Sequence, residues 1–244
     1  MDNKLFSYIK YLNKWITNYV KQAKAGGVVV GISGGVDSAL VANIASMQKN
    51  IKVLGVWMNI DNSPLDNHCV QALKLQNRFS IIDVDLTKDF EHLVKTLKIT
   101  NKLAVANLKA RLRMTTLYAL AQQHNLLVAG TSNADEAYIG YFTKYGDGAA
   151  DILPIINLIK SDVFTAASLL KIPQCIIERE PSAGLYQGQT DEKDMGITYV
   201  QIDKFLTGAK SETLARNRIQ QFHANNLHKL MLAPKPKSFR KLRT

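Results

Sequence analysis

The chain has 244 residues, with 31 Lys and Arg against 20 Asp and Glu, a formal net charge of +11. This length suits one sizeable α/β domain, and no apolar run reaches the roughly 18 to 20 residues of a membrane-spanning helix, which excludes that class. Two cysteines occur, Cys69 and Cys175, without CxxC spacing, which excludes a structural zinc site or a disulfide framework; the positive balance points to nucleic acid, an acidic surface or phosphate-rich small molecules.

Leu5, Ile9, Leu12, Ile16 and Val20 recur at helical spacing and predict an amphipathic helix, which Gly26 and Gly27 stop. The segment 1–14 lacks the pattern of a secretory signal, so a cytoplasmic location is expected. A β-branched run over 28–32 predicts a strand, 38–47 a helix and 53–58 a second strand, a βαβ unit with its right-handed crossover. A helix over 70–79, a strand over 81–84, helices over 90–97 and 108–123 and a strand over 126–129 continue the alternation. That order predicts a doubly wound, mostly parallel α/β sheet flanked by helices, Rossmann-like in plan. Residues 140–148 are glycine-rich and irregular, as binding loops are. Helices resume over 161–170, 197–206 and 212–227. The whole of 1–244 reads as a single domain ending in a basic tail over 235–244, where Lys235, Lys237, Arg240, Lys241 and Arg243 crowd. Such a tail is expected to be solvated, which counts against a nucleic-acid partner.

The turn Gly31-Ile32-Ser33-Gly34-Gly35-Val36-Asp37-Ser38 lies where the first strand hands over to the first helix, the place where open α/β sheets bind ligands. Gly34 and Gly35 let backbone approach an anion, amides at the helix start donate to phosphate oxygens, and the Ser33 and Ser38 hydroxyls add further bonds. A carboxylate here would repel a polyphosphate unless a divalent cation lay between, so Asp37 reads as a magnesium ligand. The turn is neither a Walker P-loop nor a GxGxxG fingerprint. The plainer reading is a glycine turn with Asp37 as an ordinary helix-start residue.

SGGVDS resembles the signature of the PP-loop ATP pyrophosphatases, which cleave ATP between its α and β phosphates. Further motifs narrow the resemblance: Asn107 to Met114, Gly130-Thr131-Ser132 to Glu136, Gly140-Tyr141-Phe142-Thr143-Lys144-Tyr145-Gly146-Asp147-Gly148, Pro181-Ser182-Ala183, Gln189-Thr190-Asp191-Glu192 and His228-Lys229. In this order they are similar to motifs of ammonia-dependent NAD synthetases over nearly the whole chain. The resemblance implies ATP-dependent amidation of nicotinic acid adenine dinucleotide (deamido-NAD) through an acyl-adenylate, with ATP as co-substrate, free ammonia as nitrogen donor, Mg²⁺ as cofactor and a homodimer as the assembly. It implies Asp37 and Glu136 as metal ligands, and residues 31–38, Thr131, Lys160 and Ser182 as the ATP site. Arg111, Lys144, Asp151, His228 and Lys229 then hold the dinucleotide, and Asp37 and Lys160 carry the chemistry; Asp147, from its place in the glycine-rich loop, could orient ammonia or accept its proton, or equally be a turn residue. The chain departs from the family pattern at Trp57-Met58-Asn59, on the adenine side, and at Leu230, where a third cation is usual.

Each residue also has an ordinary reading. Glu136 could be a helix-start carboxylate, Thr131 a helix cap, and Lys160 an exposed lysine, which is the commoner fate of lysines. Arg111 and Arg113, two apart on a helix, diverge by about 200° and cannot both face one ligand. Two other functions remain open on sequence: a PP-loop enzyme modifying RNA, and a nucleotide-binding module without catalysis.

Overall fold

A computed structural model describes residues 2–60, 64–182 and 190–238. It begins with α1 (Asp2–Gln22), followed by β1 (Gly27–Ile32), α2 (Val36–Ser46), β2 (Lys52–Asn59), α3 (Pro64–Leu75) and β3 (Ser80–Asp85). Then come α4 (Thr87–Leu97), α5 (Lys102–His124), β4 (Leu126–Val128) and α6 (Ala134–Ile139). The remainder is helical: α7 (Lys160–Leu169), α8 (Gln174–Ile177), α9 (Asp191–Met195), α10 (Tyr199–Leu206) and α11 (Thr213–Leu230).

Strand order in the sheet is β3-β2-β1-β4, all pairings parallel. From β1 the chain winds outward one way to β2 and β3, then returns to lay β4 on the other side of β1. The carboxyl end of β1 is therefore the topological switch point, and the glycine-rich turn leaves from it. Alternation along β1 feeds both faces: Val28, Val30 and Ile32 join the core with α1, α2 and α7, while Val29 joins the core with Leu112, Leu117 and Tyr118 of α5. Gly27 is dictated by this closeness, because a Cβ there would sit 1.9 Å from the Lys52 carbonyl oxygen of β2. A third apolar cluster lies apart from the sheet, made by Ile139 of α6, Met195 of α9, Tyr199 and Ile202 of α10 and Ile219 of α11.

Predicted elements occur in the predicted order, with shifted ends. Asp37 and Ser38 in the first turn of α2, and Pro64, Asp66 and Asn67 in that of α3, interrupt the apolar pattern, so periodicity places both starts too late. The helix predicted over 70–79 ends at Leu75, and Asn77 takes a left-handed φ of 50° before β3. Three short helices, α6, α8 and α9, were too brief for periodicity to reveal. Both cysteines are free, Cys69 buried and Cys175 half-buried. Among the described residues no helix is long and apolar enough to cross a membrane. Of the basic tail, 235–238 is exposed and 239–244 lies outside the described residues.

Candidate functional site

The β1-α2 turn is knitted by its own hydroxyls. Ser38 Oγ donates to the Gly35 carbonyl at 3.0 Å and accepts from the Ser33 amide at 3.2 Å, and Ser33 Oγ accepts from the Gly35 amide at 3.2 Å. Gly34 adopts φ +78°, which a residue with a side chain would resist. Helix α2 has no side-chain bond from its N-cap, Gly35, so its first amides are left for an incoming anion.

Asp37, in the first turn of α2, faces the two structures that complete the site. Lys160 opens α7, and its ammonium lies 2.7 Å from Asp37 Oδ2 and 3.6 Å from Glu136 Oε1. Glu136 is the N3 residue of α6 in a capping box with Asn133, whose Oδ1 accepts from the Glu136 amide at 3.0 Å. The Asn133 side-chain amide then donates to Asp37 Oδ1 at 2.9 Å. Lys160 also lies 4.7 Å from the centre of the Tyr199 ring, and Tyr199 donates its hydroxyl to Asp191 at 2.8 Å. Lys160 is 2% exposed, which corrects the sequence-based preference for an exposed lysine. Burial is tolerated because two carboxylates surround the ammonium.

Electrostatics follow from that crowding. Burial would depress Lys160, but Asp37 and Glu136 outweigh it and hold the ammonium charged well above the usual lysine range. Glu136 is pushed up, first by burial and then by the charge of Asp37. Tyr199 is pushed up by burial and by Glu136, Asp191 and Asp37, so its hydroxyl stays a donor. One ammonium thus sits among three nearby carboxylates, a surplus of negative charge that favours a divalent cation. Mg²⁺ commonly takes one or two carboxylates and fills its octahedron with water and phosphate oxygens, so Asp37 and Glu136 fit that ion.

A cleft of about 2210 Å³ opens beside the turn. That exceeds the roughly 300 to 1,000 Å³ of a pocket for one small ligand, and is enough for two nucleotides. Gly31, Ile32, Ser33, Thr131, Asp147, Ser182 and Lys229 line it, bringing together seven predicted site residues. Asp147 Oδ1 accepts from the Thr143 amide at 2.9 Å, which fixes the glycine-rich loop. Lys229 Nζ donates to the Gly140 and Phe142 carbonyls at 2.9 and 3.1 Å.

Asp37, Glu136 and Lys160 do not line the cleft but adjoin it through the turn, and Arg111, Lys144, Asp151 and His228 do not line it either. Arg111 donates to the Lys144 carbonyl, and Lys144 donates to the His228 carbonyl at 2.5 Å, closing the end of α11. Asp151 accepts from the Val128 amide at 2.7 Å and ties the loop to β4. Conversely, sequence reasoning passed over three residues. Arg113 lines the cleft and donates to the Met58 carbonyl at 3.3 Å, so of the diverging pair it is Arg113 that faces inward. Asn133 was legible as the first residue of an Asn-x-x-Glu capping pattern. Arg179 carried no local signal at all. The motif residues Ala183 and Gln189 lie outside the described residues.

The chain resembles known proteins over almost its whole length. Residues 8–238 match the family model described as NAD synthase. The NH(3)-dependent NAD(+) synthetase of Mycoplasmopsis pulmonis is 47% identical over 233 residues, covering 95% of this chain and 91% of that protein. Among solved structures, the NMN synthetase of Francisella tularensis superposes with a TM-score of 0.90 at 40% identity, covering 96% of this chain and 99% of that one. The NH3-dependent NAD synthetase of Campylobacter jejuni, solved with nitrate, superposes with a TM-score of 0.78 at 25% identity, covering 96% and 99%. With a signature turn at the sheet's switch point, a carboxylate-lysine cluster behind it and likeness over almost its full length, the chain belongs to the NAD synthase family.

Proposed function

We propose that the chain amidates deamido-NAD to NAD with ammonia, consuming ATP and releasing AMP and pyrophosphate. The observation that carries this reading is the match to the family over residues 8–238 combined with the SGGVDS turn, whose Asp37 meets Lys160 beside Glu136. The nicotinate carboxylate oxygen attacks the α-phosphorus of ATP, the bond to the bridging oxygen of the β-phosphate breaks, and pyrophosphate leaves. Ammonia then attacks the acyl carbon of the adenylate, AMP leaves with its oxygen, and the nitrogen gives up a proton. Neither step needs a protein nucleophile, so the protein's contribution is position and charge.

The amides at the start of α2, with Thr131 and Ser182 on the cleft wall, bind the phosphates. Asp37 and Glu136 hold Mg²⁺, which when bound screens the phosphates and helps pyrophosphate depart. Lys160, fixed as a cation by the same carboxylates, supplies further positive charge where the leaving group gains negative charge. Asp147, held by Thr143 beside the cleft, orients ammonia or takes up its proton. Lys229 meets the dinucleotide from the opposite wall, and the +11 charge suits a site that gathers several phosphates. Arg111, Lys144, Asp151 and His228, away from the cleft wall, serve the dinucleotide through a second copy of the chain in a homodimer, and the protein works in the cytoplasm.

Pyrophosphate release from ATP and Mg²⁺ with ammonium, followed together with NAD formation, tests the reading. Release that requires deamido-NAD and equals the NAD formed supports it; ATP turnover that requires RNA instead would overturn it. The Francisella structure, an NMN synthetase, motivates a second reading in which the mononucleotide is amidated. Comparing kcat/KM for nicotinic acid mononucleotide and dinucleotide separates the two, and a preference for the dinucleotide is expected.

A further inference from the structure

Arg179 lies on the loop after α8, far in sequence from the phosphate turn, yet touches it. Its Nη1 donates to the Ser33 carbonyl at 3.1 Å, and its Nη2 pairs with Asp66 Oδ1 at 2.6 Å. A Cβ added to Gly34 would meet that Nη1 at 3.1 Å and the Asp66 carbonyl at 3.1 Å. Gly34 is therefore favoured by its positive φ and by the nearness of the Asp66 backbone, with the guanidinium packed against it. The Arg179 side chain is 10% exposed and lines the same cleft as Ser33 and Ser182.

A carboxylate such as Asp66 beside a phosphate-binding turn would repel the nucleotide unless something neutralised it. Here the neutralising group is a guanidinium, whose planar fork of N–H donors fits two phosphate oxygens as well as a carboxylate. Asp66 sits in the first turn of α3, where the helix amides also favour a negative charge, so it is not stranded when Arg179 turns away. Lys160, by contrast, is occupied by Asp37 and Glu136 and is buried behind the turn.

Accepting that the chain splits ATP to AMP and pyrophosphate, we propose that Arg179 binds the polyphosphate of ATP and then the departing pyrophosphate. Asp66 holds the guanidinium over the turn until the nucleotide arrives. Arg179 exchanges one oxyanion partner for another without leaving the turn, and no bond is made or broken in the exchange.

Titration calorimetry of the full chain with magnesium pyrophosphate, and separately with AMP, tests this without any acceptor. Arg179→Ala is expected to weaken pyrophosphate binding by about tenfold or more, as loss of a charge-assisted contact does, while AMP binding changes much less. Arg179→Lys recovers part of the loss, since it restores charge without the fork. Asp66→Asn removes the competing partner and tightens pyrophosphate binding. Unchanged pyrophosphate binding in a folded Arg179→Ala protein would overturn the assignment, as would an equal loss for AMP, and weakened binding in Asp66→Asn would overturn the reserve role of Asp66. Failure of the parent chain to make NAD while it still binds pyrophosphate through Arg179 would count against the assigned reaction and leave this inference standing.

Discussion

The side-chain amide of Asn133 donates to Asp37 Oδ1 at 2.9 Å across 96 residues of chain. Asn133 also caps α6, so one residue fixes the direction of the carboxylate in the phosphate turn and the start of the helix that carries Glu136. Asn133→Ala is expected to cost about 1 kcal/mol for the lost cap, and about as much again for the carboxylate that loses its donor. Asn133→Asp keeps a competent cap but sets a third carboxylate beside Asp37. Urea unfolding should therefore show a smaller loss for Asp than for Ala at low pH, whereas pyrophosphate release falls in both. Equal stability of all three proteins would sink the linkage.

Lys160 is the buried counter-ion of two half-buried carboxylates, and replacing it exposes their repulsion. Lys160→Met is expected to lose about 3 kcal/mol at neutral pH, because buried charges are left without their partner. Its rate of pyrophosphate release should drop by roughly 100-fold. Mg²⁺ should raise the melting temperature of this variant more than that of the parent, since the ion would occupy the place of the missing ammonium. A variant whose melting temperature ignores Mg²⁺ would argue against Asp37 and Glu136 as its ligands.

Asp135, fully buried one residue before Glu136, gives a pH dependence with a defined sign. Its Oδ1 accepts from the Lys160 amide at 3.2 Å, while Oδ2 has no partner unless it is protonated and donates to Asp203. Burial first, then the hydrogen bond and charge of Asp203, push its carboxyl from 3.8 up to about 8. The folded state thus holds a proton that the unfolded chain releases near 3.8. The resulting stability is fully present below that pH and is lost as pH rises through about 8. Asp135→Asn reproduces the protonated acid, so unfolding free energy should vary less between pH 4 and 8 and exceed the parent's above pH 8. A steeper dependence in the variant would refute the assignment.

Lys229 connects α11 to the glycine-rich loop through the Gly140 and Phe142 carbonyls. Lys229→Met keeps much of the aliphatic stem and removes both bonds, at a cost of about 1 to 2 kcal/mol. KM for the nicotinate substrate should rise with KM for ATP nearly constant. A rise in both together would mean that Lys229 supports the whole cleft.

The sheet was legible because its code is local: Val28 to Ile32 is a short apolar run, and the turn after it carries the glycines, serines and aspartate that an anion requires. Lys160 shows the opposite case, since a lysine opening a helix carries no mark of burial until Asp37 and Glu136 are brought to it. Arg179 is less legible still. Its partners Ser33 and Asp66 lie more than a hundred positions earlier, and only the folded chain reveals that Gly34 leaves room for it. Lys144 sits in a motif similar to the family's and Asp151 just after it, yet in one chain their side chains serve the carbonyl of His228 at the end of α11 and the amide of Val128 in β4.

The carboxylate-lysine cluster lies along a seam between the sheet's cores and the small cluster of α6, α9, α10 and α11. Asp37 belongs to the first side, Tyr199 and Asp191 to the second, and Lys160 bridges them. Two packing units that share few apolar contacts are thus pinned to each other by charge, and the ammonium is fully enclosed only where both sides of the seam meet.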